Sequence, residues 1–324
     1  MSETEGEAAR SVHPADTANA AKATRTTGRF ISGSAFHVRG WPAANRPTTR
    51  GYCGRMPSVP TFANLEITMA VVHDSGGGSR VAHLTLNRPH RLNALSRNLL
   101  RDIIKASRWL DDQPNITVVV VRGAGRAFSA GFDLDDFQHP DPTLNVRDAA
   151  DLGRLATEAL ANVRQLTIAS VQGHCVGGGV VLVAACDLRI ASTDARFMIP
   201  EVDLGIPLAW GGIPRLVREL GPAITKELVL TCRPFDAHEA RALRFINHVV
   251  RPEELIESTD TLAHELATKS SFALRSTKQQ VNAALDEMVG TARNANDADS
   301  LVYATGDPES RDAGLRYLAR RSNK

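Results

Sequence analysis

An unbroken run of β-branched residues, Ile116-Thr-Val-Val-Val-Val121, constrains the fold of this chain more than any other feature of the sequence. A strand built from such residues offers no polar face to water, so it fits a sheet that is covered on both sides. Sheets of this kind are typical of α/β proteins, whose strands are mostly parallel and are joined by helices. The run therefore predicts an interior strand of a parallel sheet.

The segments around this run alternate between strand and helix patterns. Val81–Leu86 alternates like a strand and stops at the turn signal Asn87-Arg-Pro89. Ser96 is suited to cap a helix that runs to about Leu110. Such alternation predicts βαβ units with right-handed crossovers. Further predicted elements are a helix over 147–165, a strand over 168–171, a small-residue helix ending at 185, a strand over 188–190 and mostly helix beyond about 212.

Composition and charge exclude several classes of protein. The chain has 324 residues, 43% of them hydrophobic, which suits one large α/β unit with appendages. Its formal charge of +2 gives no indication of a nucleic-acid partner. We find no apolar run of membrane-spanning length, and we expect a soluble, cytoplasmic protein. The cysteines lack CxxC spacing, which favours a reducing compartment; they are Cys53, Cys175, Cys186 and Cys232.

The N-terminal segment differs from the rest of the chain. Residues 1–62 are rich in Ala, Thr, Ser, Arg, Gly and Pro and show no sustained apolar periodicity, so we expect a disordered extension. A transit peptide is an alternative, although the acidic opening MSETEGE disfavours it. A third alternative is a start codon assigned too early, with Met56 or Met69 as the true start.

Three consecutive glycines, Gly177-Gly178-Gly179, precede a helix that begins near Val180. Glycine allows a sharp turn and close approach to the main chain, and the helix N-terminus presents unpaired N–H groups. Such a terminus suits an oxygen atom that gains negative charge. The alternative interpretation, tight packing of helix on sheet, is equally compatible with these glycines.

A second glycine-bent segment, Ala127-Phe-Ser-Ala-Gly-Phe-Asp133, follows the buried strand and Gly123-Ala-Gly125. Gly131 permits a bend at the carboxyl end of the strand, where open α/β sheets bind ligands. The N–H of Phe132 then points into the crevice. Two such bends supply two donors to one carbonyl oxygen, which is the requirement for an oxyanion hole. The ring of Phe132 has the simpler interpretation of a core aromatic.

Glu201 is the candidate acid and base. It follows Pro200 within Ile199–Pro207, a segment of mainly apolar residues, and such neighbours predict a desolvated carboxyl group with a raised pKa. From spacing alone, an exposed Glu in a proline-rich loop is the simpler interpretation. Asp203 in the same segment is open to both interpretations, and Asp187 is open to a role in a helix or turn.

Several motifs in order resemble the enoyl-CoA hydratase/isomerase (crotonase) family. The resemblance covers about residues 65–320 and is specific for the family, though not for the reaction. It is carried by Leu84-Thr-Leu-Asn-Arg-Pro89, Leu92-Asn-Ala-Leu95, Ala127-Phe-Ser-Ala-Gly-Phe-Asp133, Gly173-His-Cys-Val-Gly-Gly-Gly179, Cys186-Asp187, Phe197, Pro200-Glu201, Leu204-Gly205, Gly211-Gly212 and Arg215-Leu216.

The resemblance implies an α/β, crotonase-like (ClpP/crotonase) fold, with a superhelical core of stacked βαβ units and a helical C-terminal segment. We accordingly expect a core over residues 63–258 that holds an acyl-CoA site. Residues 259–324 are expected to close the site and to pack subunits into a homotrimer or a dimer of trimers. No metal and no separate cofactor is implied, because coenzyme A is part of the substrate.

The resemblance also assigns roles to individual residues. The amides of Phe132 and Gly178 are implied to hold the thioester oxygen, with Glu201 exchanging protons. Coenzyme A phosphates need cationic or amide donors, which Arg91 offers. The implied substrate-binding residues are His90, Arg91, Ala130, Phe132, Asp133, Leu134 and Gly178; Trp210 beside Gly211 is added as a residue that narrows or caps the acyl pocket or simply packs in the core.

The sequence departs from the family pattern at one acid. Hydratases of the family carry two glutamates, and the first belongs where this chain has Val181. The extra acid of dienoyl-CoA isomerases is replaced by Ala209. With Glu201 as the remaining acid, the resemblance slightly favours movement of a double bond in a fatty acyl-CoA over syn addition of water to a 2-enoyl-CoA.

Two further functions remain open from the sequence. Loss of one acid at Val181 is compatible with a non-catalytic acyl-CoA binder on the same fold. Ala127-Phe-Ser129-Ala-Gly131 loosely resembles the nucleophile elbow of a serine hydrolase. An elbow requires a helix directly after the serine, and Phe132–Phe137 leads instead into a segment containing Pro140 and Pro142.

Overall fold

The β-branched run forms a strand inside a six-stranded sheet in the computed structural model, which describes residues 58–72, 79–139, 143–291 and 294–322. The strands are β1 Leu65–Val72, β2 Ser79–Leu86, β3 Ile116–Gly123, β4 Leu166–Val171, β5 His174–Val176, β6 Leu188–Ser192, β7 Arg196–Met198, β8 Phe235–Asp236 and β9 His248–Val250.

The helices connect these strands and then dominate the C-terminal part. The α-helices are α1 Arg97–Asp111, α2 Leu134–Gln138, α3 Val146–Ala161, α4 Gly178–Ala184, α5 Gly212–Thr231, α6 Ala237–Ala242, α7 Leu255–Ala267, α8 Ser271–Val289, α9 Asp297–Gly306 and α10 Pro308–Ser322. Short 3-10 turns occur at Pro89–Arg91, Pro252–Glu254 and Asn294–Asn296.

The main sheet is parallel apart from its first strand. Its order is β1-β2-β3-β4-β6-β9, with β1 antiparallel to β2 and every other neighbouring pair parallel. Strand β3 pairs with β2 on one side and β4 on the other, and its side chains are buried except for half-buried Arg122. The predicted interior strand is confirmed, because both of its faces are covered.

One face of the main sheet packs against α7. The buried side chains between them include Val118, Val120 and Ile168 from the sheet and Leu255 and Ala263 from the helix. We predicted that the C-terminal segment starts at residue 259. Helix α7 begins before that residue and belongs to the core, so the predicted boundary falls inside a core helix. The sequence predicts mostly helix beyond about residue 212, but it does not show which of these helices covers the sheet.

A second, smaller sheet positions the site. It consists of β5, β7 and β8, with β5 parallel to β7 and β7 antiparallel to β8. Cys175 and Phe197 of this sheet are fully buried, and Phe197 stacks on Phe235 with ring centroids 5.2 Å apart. This packing fixes β5, which leads directly into the glycine turn before α4.

The predicted N-terminal extension lies outside the described residues except for residues 58–62. Within the described residues, Cys175, Cys186 and Cys232 are buried free thiols. Among the described helices, none combines the length and the apolar character that crossing a membrane requires.

Candidate active site

The turn between β5 and α4 brings a carboxylate close to the main chain. Gly177 has φ +51°, and its N–H donates to the carbonyl oxygen of Met198 at 2.8 Å. A Cβ added at Gly177 would lie 2.4 Å from Oε1 of Glu201. Only glycine therefore allows both this backbone conformation and the approach of the Glu201 carboxylate.

The second glycine bend lies beside the first. Gly131 has φ +87°, and a Cβ added there would lie 2.7 Å from the carbonyl oxygen of Val176. Reciprocal backbone hydrogen bonds hold the two segments together: Ser129 N–H donates to His174 O at 3.0 Å, and Val176 N–H donates to Ser129 O at 3.0 Å. The two predicted bends are therefore neighbours at one end of the sheet.

Asn93 holds the second bend in place. Its side chain is fully buried and donates through Nδ2 to the carbonyl oxygens of Ala124 and Ala127, each at 2.8 Å. Its own carbonyl accepts a hydrogen bond from Oγ of Ser129 at 2.9 Å. These bonds satisfy polar groups that burial would otherwise make costly. The asparagine in Leu92-Asn-Ala-Leu95 thus positions the segment that ends at Phe132.

Two main-chain donors are free at these bends. Within the described residues, neither the N–H of Phe132 nor that of Gly178 has a hydrogen-bond acceptor. The N–H of Gly178 belongs to the first residue of α4, where the partial positive charge of the helix N-terminus is concentrated. An oxygen atom that develops negative charge is the group that such donors stabilise.

Phe132, Gly178 and Glu201 line one cavity of about 180 Å³. Most of the remaining wall is apolar and comes from the start of α3, from α4, from residues 206–210 and from α9. The other lining residues are Arg97, Asp136, Leu144, Val146, Ala149, Ala150, Val181, Ile206, Pro207, Leu208, Ala209, Trp210, Leu301, Val302 and Thr305.

The carboxyl group of Glu201 is desolvated. Its Oε2 is buried and has no hydrogen-bond partner among the described residues. Burial raises the pKa of Glu201 to about 7, because the charged form loses its hydration. The shift was predicted from the proline and apolar neighbours in the sequence. A carboxyl group with this pKa both accepts and returns a proton near neutral pH.

Apolar side chains occupy the two positions at which the family pattern described in the sequence analysis has further acids. Val181 is fully buried on α4 and lines the cavity, and Ala209 lines it as well. Neither side chain accepts a proton or holds a water molecule. Asp136 is a second carboxylate at the cavity, but it forms an ion pair with Arg97 at 3.5 Å and accepts from the Arg97 N–H at 2.6 Å.

The remaining predicted substrate-binding residues lie outside the cavity wall. His90 and Arg91 are exposed on the 3-10 turn, and Nη2 of Arg91 lies 2.5 Å from Oδ2 of Asp135. Ala130 and Leu134 are half-buried on either side of the bend. Asp133 is buried and pairs with Arg88 at 2.7 Å while capping α2. Their assignment to coenzyme A and the channel stays a prediction.

The C-terminal segment was expected to close the site, but two sets of cavity-lining residues were not named from the sequence. Helix α9 supplies Leu301, Val302 and Thr305, and α1 supplies Arg97. The carboxylate of Asp297, at the start of α9, accepts from the N–H of Gly211 at 2.8 Å and so attaches this helix to the cavity wall. The expectation that residues 259–324 close the site named none of these side chains.

A larger cavity of about 1060 Å³ lies between α5 and α8, and it does not have the features of a reaction site. Every carboxylate in its lining is neutralised by a basic partner. The pairs are Arg154–Glu158 at 2.7 Å, Lys278–Asp187 at 2.8 Å, Arg189–Glu219 at 2.6 Å and Arg218–Asp286 at 2.6 Å.

The structure opposes the serine hydrolase alternative. Ser129 is fully buried, donates to Asn93 O, and accepts from the Gly131 N–H at 3.2 Å. Helix α2 begins only at Leu134, so Ser129 does not stand at a sharp turn from strand to helix. No group of three or more His, Cys, Asp or Glu side chains suited to a metal ion occurs in the described part of the chain.

Comparison with known proteins identifies the family. The model of the enoyl-CoA hydratase/isomerase family matches residues 76–324. Crotonyl-CoA hydratase from Syntrophomonas wolfei subsp. wolfei is 34% identical over 230 residues, covering 70% of this chain and 88% of that protein. The peroxisomal Delta(3,5)-Delta(2,4)-dienoyl-CoA isomerase of Arabidopsis thaliana is 37% identical over 212 residues, covering 62% of this chain and 76% of that protein.

Solved structures agree with this result. The crystal structure of an enoyl-CoA hydratase/isomerase from Xanthobacter autotrophicus Py2 superposes with a TM-score of 0.69 at 28% identity, covering 81% of this chain and 94% of that one. The likeness confirms the predicted crotonase-like α/β fold with its helical C-terminal part. This chain belongs to the enoyl-CoA hydratase/isomerase family and is an enzyme of that family that acts on an acyl-CoA thioester.

Proposed function

We propose that the protein is an enoyl-CoA isomerase that moves a double bond from C3 to C2 of a fatty acyl-CoA, with Glu201 as its acid and base. The observation that carries this proposal is that one unpaired carboxylate shares the cavity with two free amides, while Val181 closes the position of the second acid. Hydration needs one group to activate water and another to protonate carbon, whereas isomerisation needs a single shuttle.

The proposed reaction begins with the thioester oxygen accepting hydrogen bonds from the N–H groups of Phe132 and Gly178. The Glu201 carboxylate removes a proton from C2, and the electron pair of that bond delocalises onto the thioester oxygen as a dienolate. The two amides stabilise this charge. The protonated Glu201 then donates the same proton to C4 as the double bond forms between C2 and C3, so atoms and charge balance without a cofactor.

We also propose that the phosphates of coenzyme A bind near His90 and Arg91. Both residues are exposed, and Arg91 is held by a solvent-exposed carboxylate, Asp135, which a phosphate group can displace. The turn that carries both residues is followed by Leu92, whose carbonyl oxygen accepts from the N–H of Ala130 in the second glycine bend at 2.9 Å. In this proposal the guanidinium group of Arg91 lies outside the apolar pocket, so the nucleotide part of coenzyme A remains in contact with water.

We further propose assembly as a homotrimer or a dimer of trimers. The support is helix α8, in which Lys278 is the buried residue while several large apolar side chains are exposed. Exposed apolar surface on one element is typical of a protein–protein contact. Val281 and Met288, at 52% and 77% exposure, are seven residues apart and so lie on the same side of α8, whereas Phe272, at 72% exposure, lies on its opposite side.

The reaction is tested by assaying two substrates with the same preparation. We expect the purified protein to convert a 3-enoyl-CoA to the 2-enoyl-CoA, and to hydrate crotonyl-CoA at least about 10²-fold more slowly, since one of two general acid–base groups is absent. Fast hydration of crotonyl-CoA that survives Glu201→Gln contradicts the proposal. Tight binding of acyl-CoA without turnover of either substrate supports the non-catalytic alternative.

The second candidate function is that of a 2-enoyl-CoA hydratase. It is favoured by the activity in the name of one relative, crotonyl-CoA hydratase, at 34% identity. The buried Val181 argues against it, because this side chain holds no water on that side of the cavity. The two-substrate assay separates the candidates directly.

The pKa of Glu201 predicts how the rate depends on pH. The base form is required in the free enzyme, so kcat/KM should rise about tenfold per pH unit below the pKa and level off above it. With the pKa raised to about 7, the change of slope is expected near neutral pH. Rates measured from about pH 5 to about pH 9 give the profile. A change of slope near the ordinary pKa of a glutamate contradicts the assignment.

A further inference from the structure

We infer that Trp210 limits the length of the acyl chain, and that the substrates of this protein carry a short, uncharged acyl group. The inference rests on the proposed function, because it takes the thioester carbonyl to lie at the amides of Phe132 and Gly178. Given that placement, the wall that faces the first carbons of the acyl chain decides which substrates fit.

The indole ring of Trp210 stands directly beside the proposed carbonyl position. A Cβ added at Gly178 would lie 2.2 Å from Cζ3 of Trp210, and a Cβ added at Gly153 would lie 1.8 Å from its Cε2. The indole therefore fills the space that these two glycines leave between α4 and α3. Its ring meets the ring of Phe132 edge to face, with centroids 5.8 Å apart and planes at 88°.

The backbone of Trp210 is fixed from two sides. The residue has φ +62°, a conformation that a bulky side chain adopts only when its surroundings impose it. Oγ1 of Thr157 in α3 donates to the carbonyl oxygen of Trp210 at 3.0 Å. The following N–H, of Gly211, donates to Asp297 of α9 at 2.8 Å. Both bonds are made by the peptide group that joins Trp210 to Gly211, one to α3 and one to α9. Because the ring is also in close contact with Gly153 of α3 and Gly178 of α4, the indole is a rigid wall rather than a movable lid.

The space that this wall leaves is small and apolar. The cavity measures about 180 Å³, below the range of about 300–1,000 Å³ found for sites that bind drug-sized ligands. Other than Glu201, the charged residues that line it are Arg97 and Asp136, which pair with each other. A charged group at the end of the acyl chain would find no free partner and would lose its hydration, which is costly. A short hydrocarbon chain fits the small volume and needs no polar partner.

Equilibrium binding of saturated acyl-CoA thioesters tests this inference without turnover. We expect the full-length protein to bind butyryl-CoA and hexanoyl-CoA in a calorimeter, and to bind decanoyl-CoA at least about tenfold more weakly. In Trp210→Ala, decanoyl-CoA should bind about 10- to 100-fold more tightly than in the unmodified protein. Butyryl-CoA should bind more weakly, because it no longer contacts the indole ring.

Two further variants make the test specific. Trp210→Phe keeps an aromatic ring between α3 and α4 but makes it smaller. Its preference for butyryl-CoA over decanoyl-CoA should therefore fall between those of the unmodified protein and Trp210→Ala. This variant still tests the inference if the alanine variant fails to fold. Trp109→Phe changes the half-buried tryptophan on α1, which does not line the cavity, and should leave the preference unchanged.

Failure of this inference and failure of the proposed function give different binding results. Equal affinity for butyryl-CoA and decanoyl-CoA in the unmodified protein, or an unchanged preference in folded Trp210 variants, overturns this inference and leaves the isomerase proposal standing. Absence of binding for every acyl-CoA of the series overturns the proposed function as well.

Discussion

Replacing Glu201 by Gln is expected to lower kcat for isomerisation by about 10²–10⁴-fold, the usual contribution of a general acid–base group. Glutamine has the same shape but neither removes a proton from C2 nor returns one to C4. The amides of Phe132 and Gly178 are untouched by the change, so the affinity for a saturated acyl-CoA should stay within a few-fold of the original. Steady-state rates and calorimetric binding measure the two quantities separately.

Asp203→Asn is the matched control for this variant. Asp203 lies in the same loop and is exposed, so removal of its charge should leave both kcat and binding unchanged. The fold of Glu201→Gln is not at risk, because burial already disfavours the charged carboxylate whose pKa is about 7. A rate unaffected by Glu201→Gln would mean that the acid and base lie elsewhere in the cavity.

Local chemistry explains which parts of the site the sequence predicts well. Ser96 is confirmed as the cap of α1, where its side chain accepts from the N–H of Leu99 at 3.2 Å. The predicted upward shift of the Glu201 pKa is found as well, although the carboxylate lies against Gly177 and shares its cavity with residues distant in sequence. The cap depends on a contact three residues along the chain, whereas the burial of Glu201 also needs the glycine turn before α4.

Contacts between distant segments account for what the sequence does not predict. Asp297 bonds to Gly211 from a helix far along the chain, and α9 closes the cavity with Leu301 and Val302. Helical periodicity marks an apolar face, but it does not identify the surface against which that face packs. For the same reason, most of α7 is assigned from the sequence to a separate C-terminal segment, although this helix covers one face of the main sheet.

Removing the amide hydrogen of Phe132 tests the other half of the proposed mechanism. Phe132→Pro should lower kcat by about 10²–10³-fold, the typical effect of losing one oxyanion donor. Among the described residues this N–H has no acceptor, so proline removes no hydrogen bond from the free protein. The bonds on either side, from Leu95 N–H to Gly131 O at 2.8 Å and from Asp133 N–H to Leu95 O at 3.3 Å, keep the segment in place.

Phe132→Leu separates the amide from the ring. Both variants lose the edge-to-face contact with Trp210, which is worth about 0.5–1.5 kcal/mol, but only the leucine variant keeps the N–H. We therefore expect similar thermal stability for the two variants and a much higher kcat for Phe132→Leu. Equal rates would show that the ring, and not the main-chain donor, matters for turnover. Because the charge on the thioester oxygen develops only during the reaction, binding of saturated acyl-CoA should differ far less between the two variants than kcat does.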